Sequence, residues 1–421
     1  MNQLDSELQL RSVAQRLLRA TAMLGCVLGL LCAPHAAMAE LKFSPTVGVQ
    51  YIYYSNVFSL ASDGGTIAGV DGERGRADHS IVYSGGFNAD YLFSRQKLTV
   101  DLHWNDATYK LFTQLNHNEY TADATLTWKM GRLLDGTLGY SQERSMVAFT
   151  ELDTTQPTRE LLLQTTKTGV VSANLQMTPD WRLETGATIQ TLDSPRPDNP
   201  DLQLDENTDR IGLRYVGIAH LSFGLDTNYV DGKFKGDPTA PTSSYQQHSY
   251  QLAADYSVSG LSSFNGGIGY TTRKQQGGLN ATMNHDISAV TGKLGYTRKI
   301  SAKTNITLQL SRAVNSYVTA VSSEIDTMAT LNLDWQITGK TTTDFQYGYT
   351  NSDFPGELVD PTGSATRLDH AQFVNFSVIY QALRWLAIKP YLRYETRESN
   401  MALLQYHANS IGIEVRATGA W

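Results

Sequence analysis

From Thr46 onward, apolar and polar residues alternate at period two, the pattern of strands with one apolar face. Leu98, Val100, Leu102 and Trp104 share one face of the segment from Lys97 to Trp104, and Thr99, Asp101 and His103 share the other. Trp181, Leu183, Thr185, Ala187 and Ile189 oppose Arg182, Glu184, Gly186 and Thr188. Between Glu324 and Ile337, the face of Ile325, Thr327, Ala329, Leu331, Leu333, Trp335 and Ile337 opposes Asp326, Met328, Thr330, Asn332, Asp334 and Gln336. Such runs predict strands of about 10 to 15 residues, longer than usual globular strands and long enough to cross a bilayer at a tilt. The last run, 409–421, puts Ile411, Ile413, Val415, Ala417, Gly419 and Trp421 on one face against Gly412, Glu414, Arg416 and Thr418.

The connections alternate in length. Tight turns are expected at Ser94-Arg95-Gln96, Met130-Gly131-Arg132, Thr178-Pro179-Asp180, Ala219-His220, Ser259-Gly260-Leu261, Ser301-Ala302-Lys303, Thr338-Gly339-Lys340 and Ala382-Leu383-Arg384. Longer polar connections are expected at 56–76, 112–117, 147–163, 194–206, 233–246, 274–284, 318–323, 353–366 and 398–405. Short turns at one end and longer loops at the other describe an all-β, transmembrane, antiparallel up-and-down β-barrel. Eight turns and nine loops join about 18 strands, with 16 the next count. A soluble propeller would place four short strands in each repeat of this length instead of two long ones. In a barrel, the terminal alternation through Trp421 is the lipid-facing register of the closing strand. A terminal aromatic also resembles the signal read by the bacterial outer-membrane assembly machinery, where Phe is usual.

The first 39 residues read differently. Arg11, Arg16 and Arg19 precede an apolar run from Ala20 to Leu31, followed by Ala37-Met38-Ala39. This is a cleaved secretory signal, too short for a spanning helix. Residues 40–421 then form the barrel, with no room before the first strand for a plug or a periplasmic domain. Both cysteines, Cys26 and Cys32, lie in the signal, so the exported part carries no disulfide. That part holds 31 Lys and Arg against 39 Asp and Glu, with no basic stretch, so a nucleic-acid partner is not expected. Composition alone matches a soluble secreted protein, because half of each barrel strand also faces water. The pattern carries the distinction.

At 16 to 18 strands a barrel encloses water. Parity assigns Asp101, His103, Arg182, Glu184, Asp326, Asp334, Lys389, Tyr391, Arg393, Glu395, Arg397, Glu414 and Arg416 to the lumen. The signs are mixed, which predicts weak ion selectivity. Lys389, Arg393 and Arg397 form a basic stripe on one strand. It reads either as a patch for anionic groups on a passing solute or as lumen ion pairs with Glu414. Tyr51, Tyr53 and Tyr54 are expected in an interfacial aromatic girdle. Arg312 breaks the pattern by sharing phase with Ile306, Leu308 and Leu310, which suggests a place above the bilayer near lipopolysaccharide or after a bulge. No loop stands out as a constriction.

An enzyme is not expected. There is no GxSxG elbow, HExxH site or phosphate-cradling loop. His248, His285 and His370 fall near loop ends, and the neighbours Asp369-His370 and His285-Asp286 point to opposite strand faces. No cofactor or metal site is predicted.

The segment SPTVGVQYIYYSNVFSL, 44–60, places Tyr54, Ser55, Asn56, Val57 and Phe58 after the first strand. It resembles a family of outer-membrane porins encoded with exopolysaccharide biosynthesis genes in Gram-negative bacteria. Further echoes are SRQKLTVDLHWNDATYKLF (94–112) and WRLETGATIQ. The resemblance implies polysaccharide export, with outer-membrane lipid and lipopolysaccharide, the barrel assembly machinery, a secreted polysaccharide and periplasmic export components as partners. On the residues alone, Asn56 and Phe58 shape the start of the first loop. A small-solute porin and a structural or adhesive barrel are the alternatives.

Overall fold

The computed structural model describes residues 39–61, 76–149, 161–196, 199–235, 243–276, 286–317, 322–358 and 366–419. The signal segment and Trp421 lie outside them, apart from Ala39 at the start of the first strand, and so does His285.

Eighteen strands form a single antiparallel sheet: β1 (Ala39–Tyr54), β2 (Asp78–Phe93), β3 (Gln96–Tyr109), β4 (His117–Met130), β5 (Leu134–Met146), β6 (Leu163–Gln176), β7 (Trp181–Arg196), β8 (Asn199–Ile218), β9 (Leu221–Lys235), β10 (Ser243–Ser259), β11 (Ser262–Gln276), β12 (Ile287–Ser301), β13 (Thr304–Tyr317), β14 (Ser322–Gln336), β15 (Thr341–Leu358), β16 (Thr366–Leu383), β17 (Leu386–Ser399) and β18 (Tyr406–Thr418). Each pairs with its sequence neighbours, and β1 closes on β18, with Thr46 opposite Thr418 and Tyr54 opposite Ser410. The protein is therefore a closed 18-stranded up-and-down barrel, and closure leaves no unpaired sheet edge to face lipid.

The outer face carries the apolar half of each alternation. Val47, Leu252, Ile268, Ile411 and Ile413 stand open on the outside, with Leu252 and Ile268 each 64% exposed. In water this belt would be an aggregation surface; in a bilayer it is the lipid contact. Near the short-turn end the belt ends in aromatics: Trp181 meets Tyr215 edge-on, and Phe264 stacks on Tyr296 at 4.5 Å. Tyr51 and Tyr53 sit in the outer face toward the loop end, both against His79.

The turns fall where the sequence places them. Gly131, Ser94 and His220 take positive φ of 66°, 57° and 66°, the left-handed geometry of tight hairpins. The strands, by contrast, are longer than predicted, 13 to 20 residues. The β7–β8 ladder continues to Arg196 opposite Asn199, through most of the span read as a loop at 194–206. Polar residues there keep pairing after the apolar alternation has ended, because backbone hydrogen bonds need no apolar face.

Candidate functional site: the lumen

The lumen is lined by the polar half of the alternation. Two regions of the wall differ in how their side chains are satisfied.

On β7 to β10, three arginines meet three carboxylates. Glu184 accepts from Arg182 at 2.5 Å and lies 3.3 Å from Arg210 and 3.2 Å from Arg214. Asp226 pairs with Arg210 at 2.9 Å and Arg214 at 3.6 Å, and Arg214 reaches Asp255 at 2.6 Å. The cluster is neutral by count, and every charge has a partner. Lys293 on β12 shares the hollow beside it, about 250 Å³, with no ion pair among the described residues. Arg210, Arg214, Asp226, Asp255 and Lys293 were not among the residues assigned to the lumen from the alternation. Their common signal was parity: each occupies the inward phase of its strand.

Across β1 to β5 the wall is aromatic and hydrogen-bonding. Tyr54 does not join the outer girdle as expected. It occupies the inward phase with Gln50 and Ile52 and stacks on Tyr109 at 6.1 Å. The correction follows from parity, since Tyr53 and Tyr54 are neighbours on a strand and cannot face the same side. Asp101 takes His103 at 2.8 Å and Asn88 at 3.1 Å.

The basic stripe on β17 is inward, but its partners are not those expected. Arg393 bonds Glu395 at 2.7 Å and lies over the Phe373 ring, and Arg397 bonds the Leu404 carbonyl. Arg397 also faces Asp369, which is held by Arg367 at 2.6 Å. Lys389 is level with Glu414 in the ladder, yet Glu414 is approached by Arg416 at 3.7 Å. A residue two positions along the same strand shares the face and competes with the cross-strand neighbour, which is why register alone did not give the pairing. Tyr391 lies flat over Gly412, where a Cβ would come within 2.5 Å of its ring, and accepts from Gln50 on β1. Asp326 takes Asn315 and Ser352, and Asp334 sits level with Asp344.

At the loop end, segments fold back into the mouth. Residues 55–61 after β1 turn inward. Asn56 binds Leu60 through both its amide atoms and donates to the His407 carbonyl, while Phe58, 2% exposed, packs edge-on against Phe112 and Phe149. Leu115, on a short 3₁₀ turn, completes this apolar cap. On the opposite side, the β12–β13 ladder stops at Gly292 opposite Arg312. Beyond it the tip of the β13–β14 hairpin leans inward: Val314 and Ile325 pack on Ile287 and Ala289 of β12. Arg273 of β11 binds Ser316 at 3.0 Å and Ser323 at 2.9 Å while lying over Tyr245, and Ser316 donates to Tyr245. Loop and hairpin-tip residues thus pack against the inner face at two places around the mouth. Arg312 follows no bulge; it stays on the outer face, donating to Thr327 at 2.7 Å, where β13 leaves the wall. His370 faces outward beside Tyr349, away from Asp369 in the lumen, so these two neighbours form no dyad.

Residues 265–418 match the family described as "Putative beta-barrel porin 2". No curated protein matches the chain. Among solved structures, OccK9 (OpdG) of Pseudomonas aeruginosa is similar at 12% identity and a TM-score of 0.46, over 91% of this chain and 99% of that one. OccAB3 of Acinetobacter baumannii is similar at 11% identity and 0.46, over 91% and 100%. The alcaligin outer-membrane receptor FauA of Bordetella pertussis is similar at 12% and 0.42, over 91% and 77%.

Proposed function

We propose that this protein is a passive outer-membrane channel that conducts a secreted polysaccharide in an exopolysaccharide export system. The observation that carries the reading is the mutual pairing of charges on two arcs of the lumen wall. Arg182, Arg210 and Arg214 against Glu184, Asp226 and Asp255, and Arg393 and Arg397 against Glu395 and Asp369, spend their charge on each other. Beside these pairs a solute meets hydroxyls, amides and flat rings such as Tyr391, with scattered single charges such as Lys293, Lys389 and Asp334. A hydrated polymer moves through such a lumen by many weak contacts, none strong enough to trap it. Lipid and lipopolysaccharide around the belt, export through the segment 1–39, assembly through the C-terminal strand and contact with periplasmic export components belong to the same proposal. No catalytic step is part of it.

The narrowed mouth favours a second reading, a diffusion porin for small solutes. A deletion strain separates the two. Unchanged polymer synthesis with polymer retained in the periplasm supports export, whereas normal secretion with slowed uptake of a small solute supports the porin.

A further inference from the structure

Directly below the cap formed by Phe58 and Phe112 is a hollow of about 320 Å³, within the range of small-molecule sites. Its lining includes Ile52 and Val82 beside the stacked rings of Tyr54 and Tyr109. Gln50, Ser84 and Asn105 line the same hollow, Gln50 level with Val82 in the ladder. Its two carboxylates are already engaged within the wall: Glu119 with His117 at 3.2 Å and Glu414 with Arg416 at 3.7 Å. A ring with C–H faces and an equatorial girdle of hydroxyls matches this mixture of aromatic, aliphatic and amide groups. A charged ring does not, since no unpaired cation or anion awaits it there. The hollow on β8 to β12 differs on both counts, holding the unpaired Lys293 and no aromatic ring.

We propose that the hollow between β1 and β5 is a binding subsite for an uncharged hexopyranose unit. This rests on the channel reading only in its biological meaning; the subsite itself is a property of the folded barrel. Two measurements keep the readings apart. In planar bilayers, a neutral glucose tetramer should interrupt the ion current with measurable dwell times, and a galacturonate tetramer should not. Gln50→Leu with Asn105→Leu should shorten the dwell about a hundredfold, roughly tenfold for each lost hydrogen bond, with the dwell read against the variant's own open-channel current. Calorimetry on the detergent-solubilised barrel should give the same order of affinities without any current. Equal binding of the neutral and acidic tetramers, or no change in the double variant, overturns the subsite. Calorimetric binding to a barrel that conducts no ions upholds the subsite and overturns the channel.

Discussion

The wall of β7 to β10 and the wall of β1 to β5 solve the same problem in opposite ways. Both must present polar atoms to water on one face and apolar atoms to lipid on the other. The first fills its lumen face with ions and neutralises them across strands, around Arg214. The second pairs some of its charges locally, such as Asp101 with His103, and roofs an aromatic hollow with loop residues. Charged side chains linked across strands brace the sheet, whereas flat rings and amides leave room. Bracing and open space thus fall on different arcs of the circumference.

The largest expected effect falls on the roof. Phe58→Ala removes a ring packed between Phe112 and Phe149, at a cost of about 4 kcal/mol to that local packing. The barrel should still fold and remain heat-modifiable, while single-channel steps become larger and noisier and the segment after β1 becomes sensitive to protease. Unaltered current would mean the roof does not narrow the path.

Next comes the braced wall. Arg214→Ala strands Asp255 and weakens the hold on Glu184 and Asp226, and losing one partner of a largely buried network costs about 3 kcal/mol. Lower resistance to denaturant should be accompanied by a reversal potential shifted toward cations, since three carboxylates then share two arginines. An unshifted potential would show that this wall lies outside the conducting path.

The smallest effect is expected at Lys389. Arg393 and Arg397 have partners, so neutralising them together with Lys389 should disturb structure as well as selectivity. Lys389→Gln alone should move the reversal potential slightly toward cations and leave stability unchanged. A shift as large as that of Arg214→Ala would place the electrostatic control on β17 instead.

Much of this was legible in the sequence, for a physical reason. Side chains alternate strictly along a strand, so the direction of Arg182, Glu184, Asp326, Tyr391 and Glu414 followed from counting, and all eight tight turns announced themselves as breaks in the count. What alternation cannot encode is the partner of each inward charge, as the Arg393–Glu395 and Arg397–Asp369 pairs illustrate. Nor does it encode a fold of the wall upon itself. The segment carrying Asn56 and Phe58 was noticed, but its burial depends on Phe112 and Phe149 from two other loops. The inward lean of the β13–β14 tip depends on Arg273, more than forty residues earlier in the chain than Ser316.

That lean has a mechanical consequence. Hoop tension around a barrel is carried by its ladders in series, so the shortest ladders yield first. Because the hairpin leaves the wall at Arg312, β12 and β13 are joined only from Gly292 to Ser301 against Thr304 to Arg312. The closing ladder is similarly brief, Thr46 to Tyr54 against Ser410 to Thr418, whereas β1 and β2 are zipped along the whole length of both strands. These two seams divide the cylinder into unequal staves, β1 to β12 and β13 to β18. Stretching the membrane should pry the cylinder open along those lines, with the smaller stave swinging as one piece.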